Sequence, residues 1–253
     1  MSGLIKSSKV ALEIFLTHTF CISSVKYYES GELILIKKEV FEKTFDPELL
    51  LLNIKKVLEK IEIDSYSVAE TKLIFDNNYY VLVPDSLYRK GHEKTYLKFN
   101  TTIDSRDLTA VDNLTKLNIN NIYLPFVNIN NYLIEKFKKI EFYHFNTITI
   151  NKLFENNSYN SLNCIIENFK LRLLVLKNGE VILFNSYEYK TLDDVLFYIL
   201  LALNDKNYRR KNIKINIFSL DKVQEIKNKF SKFLENMTVK KVEDLYSFYS
   251  SWE

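Results

Sequence analysis

Lys206, Arg209, Arg210, Lys211 and Lys214 crowd together in one short stretch, with Tyr208 among them. Cations at this density can hold phosphate groups, and a tyrosine between them offers a face on which a base can stack. Arg209, Arg210 and Lys211 are therefore the candidates for an anion or RNA contact. The competing reading is a solvated loop between a helix end and a strand, where cations also suit the helix dipole. Whole-chain charge favours the loop, because 35 basic and 32 acidic residues leave only +3 at pH 7. Such a balance makes no basic field for nucleic acid. DNA is not an expected partner, and RNA is disfavoured.

The remaining reactive residue types point to packing. His18, His92 and His144 have no mutual metal spacing and no nearby cysteine pair, so no metal site is expected. His144 stands in an apolar strand-like run and reads as a hydrogen-bonded core histidine. Cys21 and Cys164 lie in strand-like surroundings without a local histidine or helix N-terminus to lower their pKa, so they read as inert buried thiols. Two cysteines are too few for a disulfide-stapled scaffold, which suits a reducing, cytoplasmic compartment. Asp46 and Asp193 resemble a pair of site carboxylates, but each directly precedes a helix, where capping explains it. No catalytic residue and no cofactor follow from these patterns.

The elements that must position these residues follow from periodicity. Lys9–Leu16, Phe20–Tyr27 and Leu33–Lys37 are rich in β-branched and aromatic residues, with Tyr28-Glu29-Ser30-Gly31 closing a hairpin. Asp46-Pro47-Glu48 starts a helix that runs to about Lys60 with Leu50, Ile54, Val57 and Ile61 on one face. Strands are expected at Lys72–Phe75 and Tyr79–Val83, joined by Asp76-Asn77-Asn78, and at Tyr96–Phe99, Asn121–Phe126 and Glu141–Phe145. Helices are expected near 130–139 and 147–155. After the polar, turn-prone 156–161 the pattern restarts with strands at Leu162–Ile166, Leu171–Leu176 and Val181–Tyr187, a hairpin at Lys177-Asn178-Gly179, and a very apolar helix to Leu203. That helix has no wet face before its end and should lie buried. A strand at Lys214–Phe218 and a helix over 221–236 complete the chain, whose closing Tyr246, Tyr249 and Trp252 share one side of a helical turn. They suggest either packing on the second half or a partner-binding tail.

The two halves echo each other. Gly31-Glu32-Leu33-Ile34-Leu35 returns as Gly179-Glu180-Val181-Ile182-Leu183, and Lys43-Thr44-Phe45-Asp46 as Lys190-Thr191-Leu192-Asp193. A domain boundary is placed in 156–161, giving lobes 1–158 and 159–253. Met1–Lys9 is mostly polar, Glu13 interrupts the apolar Val10–Leu16, and the longest greasy run, Val195–Leu203, is half a membrane span. No membrane span and a cytoplasmic location are expected.

Three antiparallel strands, a crossover helix, then further strand and helix, occurring twice, resemble the duplicated ribonuclease-H-like core of the actin, Hsp70 and sugar-kinase superfamily. The fold class is therefore α/β, an actin-like ATPase fold of two similar lobes around a cleft. More narrowly, the chain resembles a Bacteroidetes family, domain of unknown function 3822. The residues that carry this are Tyr80-Val81-Leu82-Val83-Pro84 with Leu87-Tyr88, Tyr96-Leu97-Lys98-Phe99-Asn100, and above all Phe169 through Glu180 with Leu183–Tyr187. Actin-like ATPases hold nucleotide with two Asp- and Gly-bearing phosphate loops and a Gly-rich adenosine segment. The equivalent turns here are Glu13–Phe20 and 166–170, and the adenosine segment becomes Ser219-Leu220-Asp221. None contains a glycine, and neither phosphate loop an aspartate. The chain has only four glycines, two of them in hairpin turns. Side chains at positions of close backbone approach would block phosphate.

The resulting expectation is a non-catalytic actin-like pseudo-ATPase that acts as a protein-interaction scaffold, its partner and oligomeric state open. The rival is a nucleotide-binding ATPase with substituted loops, in which Glu13 and Glu167 would hold Mg²⁺ and Thr17 or Thr19 would face phosphate. The third reading is an RNA-associated accessory protein resting on residues 206–214.

Overall fold

The computed structural model describes residues 9–155, 159–167, 169–205 and 213–243. Arg209, Arg210 and Lys211, with Lys206 and Tyr208, lie outside the described residues, as do Tyr246, Tyr249 and Trp252. Contacts divide the chain into two compact units, 1–147 and 148–253. This division falls within one helix, α4 below, whereas the sequence boundary at 158/159 lies after it.

In the first unit, β1 (Lys9–Leu16), β2 (Phe20–Tyr27) and β3 (Leu33–Val40) form an antiparallel meander, and β4 (Ser67–Phe75) lies parallel to β1 on its other side. With β8 (Ile140–His144) beside β4, the sheet order is β3-β2-β1-β4-β8. A right-handed chain needs a crossover to bring β4 parallel to β1, and α1 (Pro47–Lys60) supplies it. Leu50, Ile54, Val57 and Leu58 of α1 are buried, each contributing roughly 1.5–3 kcal/mol as apolar area leaves water.

The start of α1 is built locally. The Asp46 carboxylate accepts from the N–H of Glu48 at 2.8 Å and of Leu49 at 3.3 Å, and Pro47 occupies the first turn. Asp46→Ala is expected to lower stability by about 1 kcal/mol, measured by urea unfolding. A loss near zero would assign Asp46 to something other than capping.

Between β4 and β8 the chain makes a smaller antiparallel sheet, β5-β7-β6, from β5 (Tyr80–Pro84), β6 (Ala110–Leu114) and β7 (Ile119–Tyr123). Here the sequence misleads. Lys72–Phe75 and Tyr79–Val83 do not pair; they enter different sheets. Asn77 diverts the chain, its amide donating to the Leu124 carbonyl at 2.9 Å and accepting from the Tyr79 N–H at 2.9 Å. Tyr96–Phe99, expected as a strand, overlaps the helix α2 (Glu93–Leu97): Leu97 is buried, Tyr96 packs half-buried against the same core, and Phe99 stays 82% exposed. Strand β6 was not expected at all. Helix α3 (Val127–Lys136) follows and packs against α1. Helix α4 (Phe145–Glu155) leaves β8 with Phe145, Ile148, Ile150 and Leu153 buried.

The second unit repeats the topology. β9 (Ser161–Glu167), β10 (Lys170–Lys177) and β11 (Glu180–Glu188) are an antiparallel meander, and β12 (Lys214–Ser219) and β13 (Met237–Lys241) add in parallel, giving β11-β10-β9-β12-β13. The β10–β11 hairpin turns through Asn178 and Gly179 at φ 54° and 78°, the pair of left-handed residues that a tight hairpin of this twist requires. A side chain at Gly179 would also meet the Tyr159 ring at 2.9 Å. One face of this sheet is covered by α5 (Leu192–Asp205) and α6 (Val223–Phe230), whose Val195, Ile199, Ile226 and Phe230 join Leu162, Leu173 and Ile215 in one core. α5 is not buried all round: Phe197 and Leu201 are 59% and 48% exposed. Hydropathy alone could not show that, since a helix that is apolar on every side reads the same whether one face or two are covered. No helix among the described residues is long and apolar enough to cross a membrane.

Candidate functional site

The first expected phosphate loop is the link between β1 and β2, which narrows to a turn closed by Thr17 N–H on the Phe20 carbonyl at 3.0 Å. The Thr17 hydroxyl accepts from the N–H groups of both Thr19 and Phe20, each at 3.0 Å. A phosphate loop works by turning such N–H groups outward as donors. Here a side chain of the same loop takes them. The loop carbonyls are engaged too, Thr19 by Phe41 N–H at 2.8 Å and His18 by Thr44 N–H at 3.0 Å.

His18 seals the turn. Its Nδ1 lies 2.9 Å from the Thr44 carbonyl oxygen, so that nitrogen carries the proton and donates. Its ring packs on Phe45 at 4.5 Å and edge-on to Phe126 at 5.2 Å, and Phe126 stands against Phe75. Glu13 is 2.8 Å from Lys26 Nζ and accepts from Ser24 Oγ at 3.2 Å. It is a paired strand carboxylate.

The second expected loop is tighter. Glu167 and Lys170 are directly paired across β9 and β10, so the strands are joined by a minimal turn. Phe169 holds φ 59° there with its ring 70% exposed, a conformation that costs a non-glycine residue roughly 1–2 kcal/mol. Tyr189 clamps the turn, its hydroxyl donating to the Glu167 carbonyl at 2.8 Å and its N–H to the Phe169 carbonyl at 3.0 Å. The Glu167 carboxylate pairs with Arg172, whose guanidinium is wholly buried. Where an adenosine segment would follow β12, Ser219 Oγ donates to the Asp221 carbonyl at 2.5 Å. The chain then enters α6 through Lys222 at φ 55°. The backbone adopts a glycine-type conformation there, but a lysine occupies it.

The other sequence candidates divide as follows. Cys21 and Cys164 are free, fully buried thiols; burial pushes Cys21 up to about 12 and Cys164 upward as well, so neither is a thiolate nucleophile. His144 is wholly buried, accepting from Asn146 N–H on Nδ1 at 3.1 Å and placing Nε2 3.2 Å from the Asn77 carbonyl, which fixes the neutral Nε2–H form. Among the described residues no cluster of three metal-binding side chains occurs. Of the basic stretch only Lys214 is described, as the exposed first residue of β12.

Sequence reasoning missed a buried polar centre in the first unit. Asp112 accepts from Tyr123 Oη at 3.0 Å, from His144 N–H at 2.7 Å and from Thr147 Oγ1 at 2.7 Å. Asn121 in turn donates to Thr147 at 2.9 Å. Desolvation lifts Asp112 to about 6 even though all three hydrogen bonds oppose the rise. With 9% of its surface exposed, Asp112 belongs to the buried interior of the first unit. A second polar row crosses β9, β12 and β13, where Asn216 donates to Asn163 at 2.8 Å and Thr238 to Asn216 at 3.0 Å.

A family model described as protein of unknown function, DUF3822, matches residues 4–237. The chain belongs to the DUF3822 family. A Bacteroides thetaiotaomicron protein of actin-like ATPase fold and unknown function superposes on this DUF3822 chain with a TM-score of 0.79 at 15% identity, covering 97% of each chain. The ethanolamine utilization protein EutJ from Carboxydothermus hydrogenoformans gives 0.51 at 8% identity, covering 95% of this chain and 88% of EutJ. A chain of the PilM–PilN type IV pilus biogenesis complex gives 0.51 at 8%, covering 91% of this chain and 88% of that one. At these identities the likeness is one of fold. No curated protein matches the chain in sequence. The DUF3822 chain therefore has the actin-like ATPase fold.

Proposed function

We propose that this DUF3822 protein is a cytoplasmic, non-catalytic actin-like pseudo-ATPase that works as a protein-interaction scaffold, with lobes 1–158 and 159–253. The observation that carries the reading is the Thr17 hydroxyl on the N–H groups of Thr19 and Phe20. A bound phosphate would have to displace an internal acceptor there, and it would gain no net hydrogen bond in doing so. The tight Phe169 turn and the commitment of Glu13 and Glu167 to Lys26 and Arg172 point the same way. A chain of the PilM–PilN type IV pilus biogenesis complex superposes on this one, and a chain of this fold within a protein complex supports the scaffold reading.

Mg-ATP titrated into the protein is expected to leave its Tm unchanged and to release no calorimetric heat of binding. A ligand that binds the native state must raise stability by mass action. A concentration-dependent rise in Tm that is abolished by Glu13→Gln or Glu167→Gln would establish the rival ATPase reading instead.

A further inference from the structure

Away from the phosphate loops, the segment that links β5 to α2 folds around a concavity of about 390 Å³, lined by Ser86, Leu87, Arg89, His92, Thr95 and Tyr96. That is large enough for a small ligand. Its walls are built by a closed set of hydrogen bonds. The Tyr96 hydroxyl donates to the Leu87 carbonyl at 2.6 Å and accepts from the Arg89 N–H at 3.0 Å. Tyr88 Oη and the Gly91 N–H both donate to Glu93 Oε1, at 2.7 and 3.0 Å. Gly91 turns the chain at φ 88°, and Leu97 anchors the segment in a core with Val83 and Ile122.

The chemistry of the lining is one-sided. Among the described residues, the Arg89 guanidinium and the His92 ring make no hydrogen bond or ion pair. Ser86 and Thr95 add hydroxyls. Two carboxylates flank the lining. Asp85 accepts from the Asn120 amide, and Glu93 is committed to Tyr88 and Gly91. Glu93 also lies near enough to His92 to interact with it electrostatically, so Arg89 is the cation that faces no carboxylate of its own. The Tyr96 hydroxyl is likewise committed, so Tyr96 offers its ring, beside the exposed side chain of Leu87. Guanidinium forks bind planar or tetrahedral oxyanions in two-point fashion. A flat ring and an aliphatic wall take an apolar body.

We propose that this pocket binds a small organic anion, a phosphate monoester or carboxylate, with Arg89 and His92 on the oxyanion and Leu87 and Tyr96 against an apolar body. Phosphate and carboxylate share this chemistry, and phenyl phosphate and benzoate serve as separate probes for them. Calorimetric and amide-shift titrations are expected to show saturable binding of one or both probes, with shifts at residues 86–96. Arg89→Met, at an exposed position, is expected to weaken binding about tenfold or more, and His92→Gln to weaken it in the same direction. Benzyl alcohol, which has the ring without the charge, is expected not to bind. Absence of saturable binding by either anion overturns the proposal. So does unchanged affinity in Arg89→Met, or equal binding of benzyl alcohol. The test is separable from the scaffold reading. A Mg-ATP response that disappears in Arg89→Met belongs to this pocket, and one that survives it belongs to the phosphate loops.

Discussion

Replacing Arg172 by methionine is expected to destabilise the protein by about 3–5 kcal/mol. Arg172 has no exposed surface, and its partner Glu167 is only 7% exposed. Methionine fills much of the same volume, so the loss comes less from a cavity than from a carboxylate left buried without its cation. That distinction can be measured. In Arg172→Met/Glu167→Gln the stranded charge is gone, and the double variant is expected to regain much of the loss, giving a coupling energy of about 0.5–3 kcal/mol in a double-mutant cycle. Urea unfolding of the four proteins checks it. A single variant that loses under about 1 kcal/mol, or strictly additive losses, would show that water reaches Glu167 and that the pair is not structural. The result also bears on function, because a Glu167 that cannot leave Arg172 is not available as a Mg²⁺ ligand.

The second large effect concerns Asp112 and pH. Its folded-state pKa of about 6 stands above the ordinary 3.8, chiefly because burial penalises the charged form. The folded protein therefore binds this proton more tightly than the unfolded chain does. Stability from the group is fully present below the ordinary value, declines as pH rises through about 6, and is absent above it. A displacement of this size corresponds to about 3 kcal/mol. Other carboxylates also shape the total pH profile, so the measurable quantity is the stability difference between wild type and Asp112→Asn. That difference is expected to move in favour of wild type as pH falls from 7 towards 4. A difference that stays flat with pH would mean that Asp112 is solvated and that its contacts with Tyr123, His144 N–H and Thr147 are not those described.

Several parts of this protein were legible before any coordinates. Lys9–Leu16, Phe20–Tyr27 and the Asp46-capped helix were readable because their signals are local: β-branched residues in a run, a capping carboxylate, a proline in the first turn. The Asn178-Gly179 hairpin was readable for the same reason. The lack of glycine in the turns that stand where phosphate loops are expected could also be read, since it is a property of composition. Less was legible where the chain branches between sheets. Nothing local distinguishes Tyr79–Val83 as the partner of β4 from Tyr80–Pro84 as the partner of β7; the choice is made by Asn77 reaching the Leu124 carbonyl, a residue far along the chain. Tyr96–Phe99 has a strand's composition, and it joins a helix because Tyr96 and Glu93 close hydrogen bonds with the preceding loop.

By itself the sequence determined the repeated α/β pattern, the helix starts, the hairpin turns and the want of glycine at every expected phosphate contact. Tertiary structure decided what fills those places. Thr17 takes the N–H groups of its own loop, Arg172 takes Glu167, and Asp112 gathers donors from three separate segments. It also brought Arg89, His92 and Tyr96 around one concavity. Each of these depends on side chains that meet only when distant or oppositely directed backbone is packed together. Propensity and periodicity describe how a segment folds, and the partner a polar group finds is fixed by the three-dimensional arrangement that burial imposes.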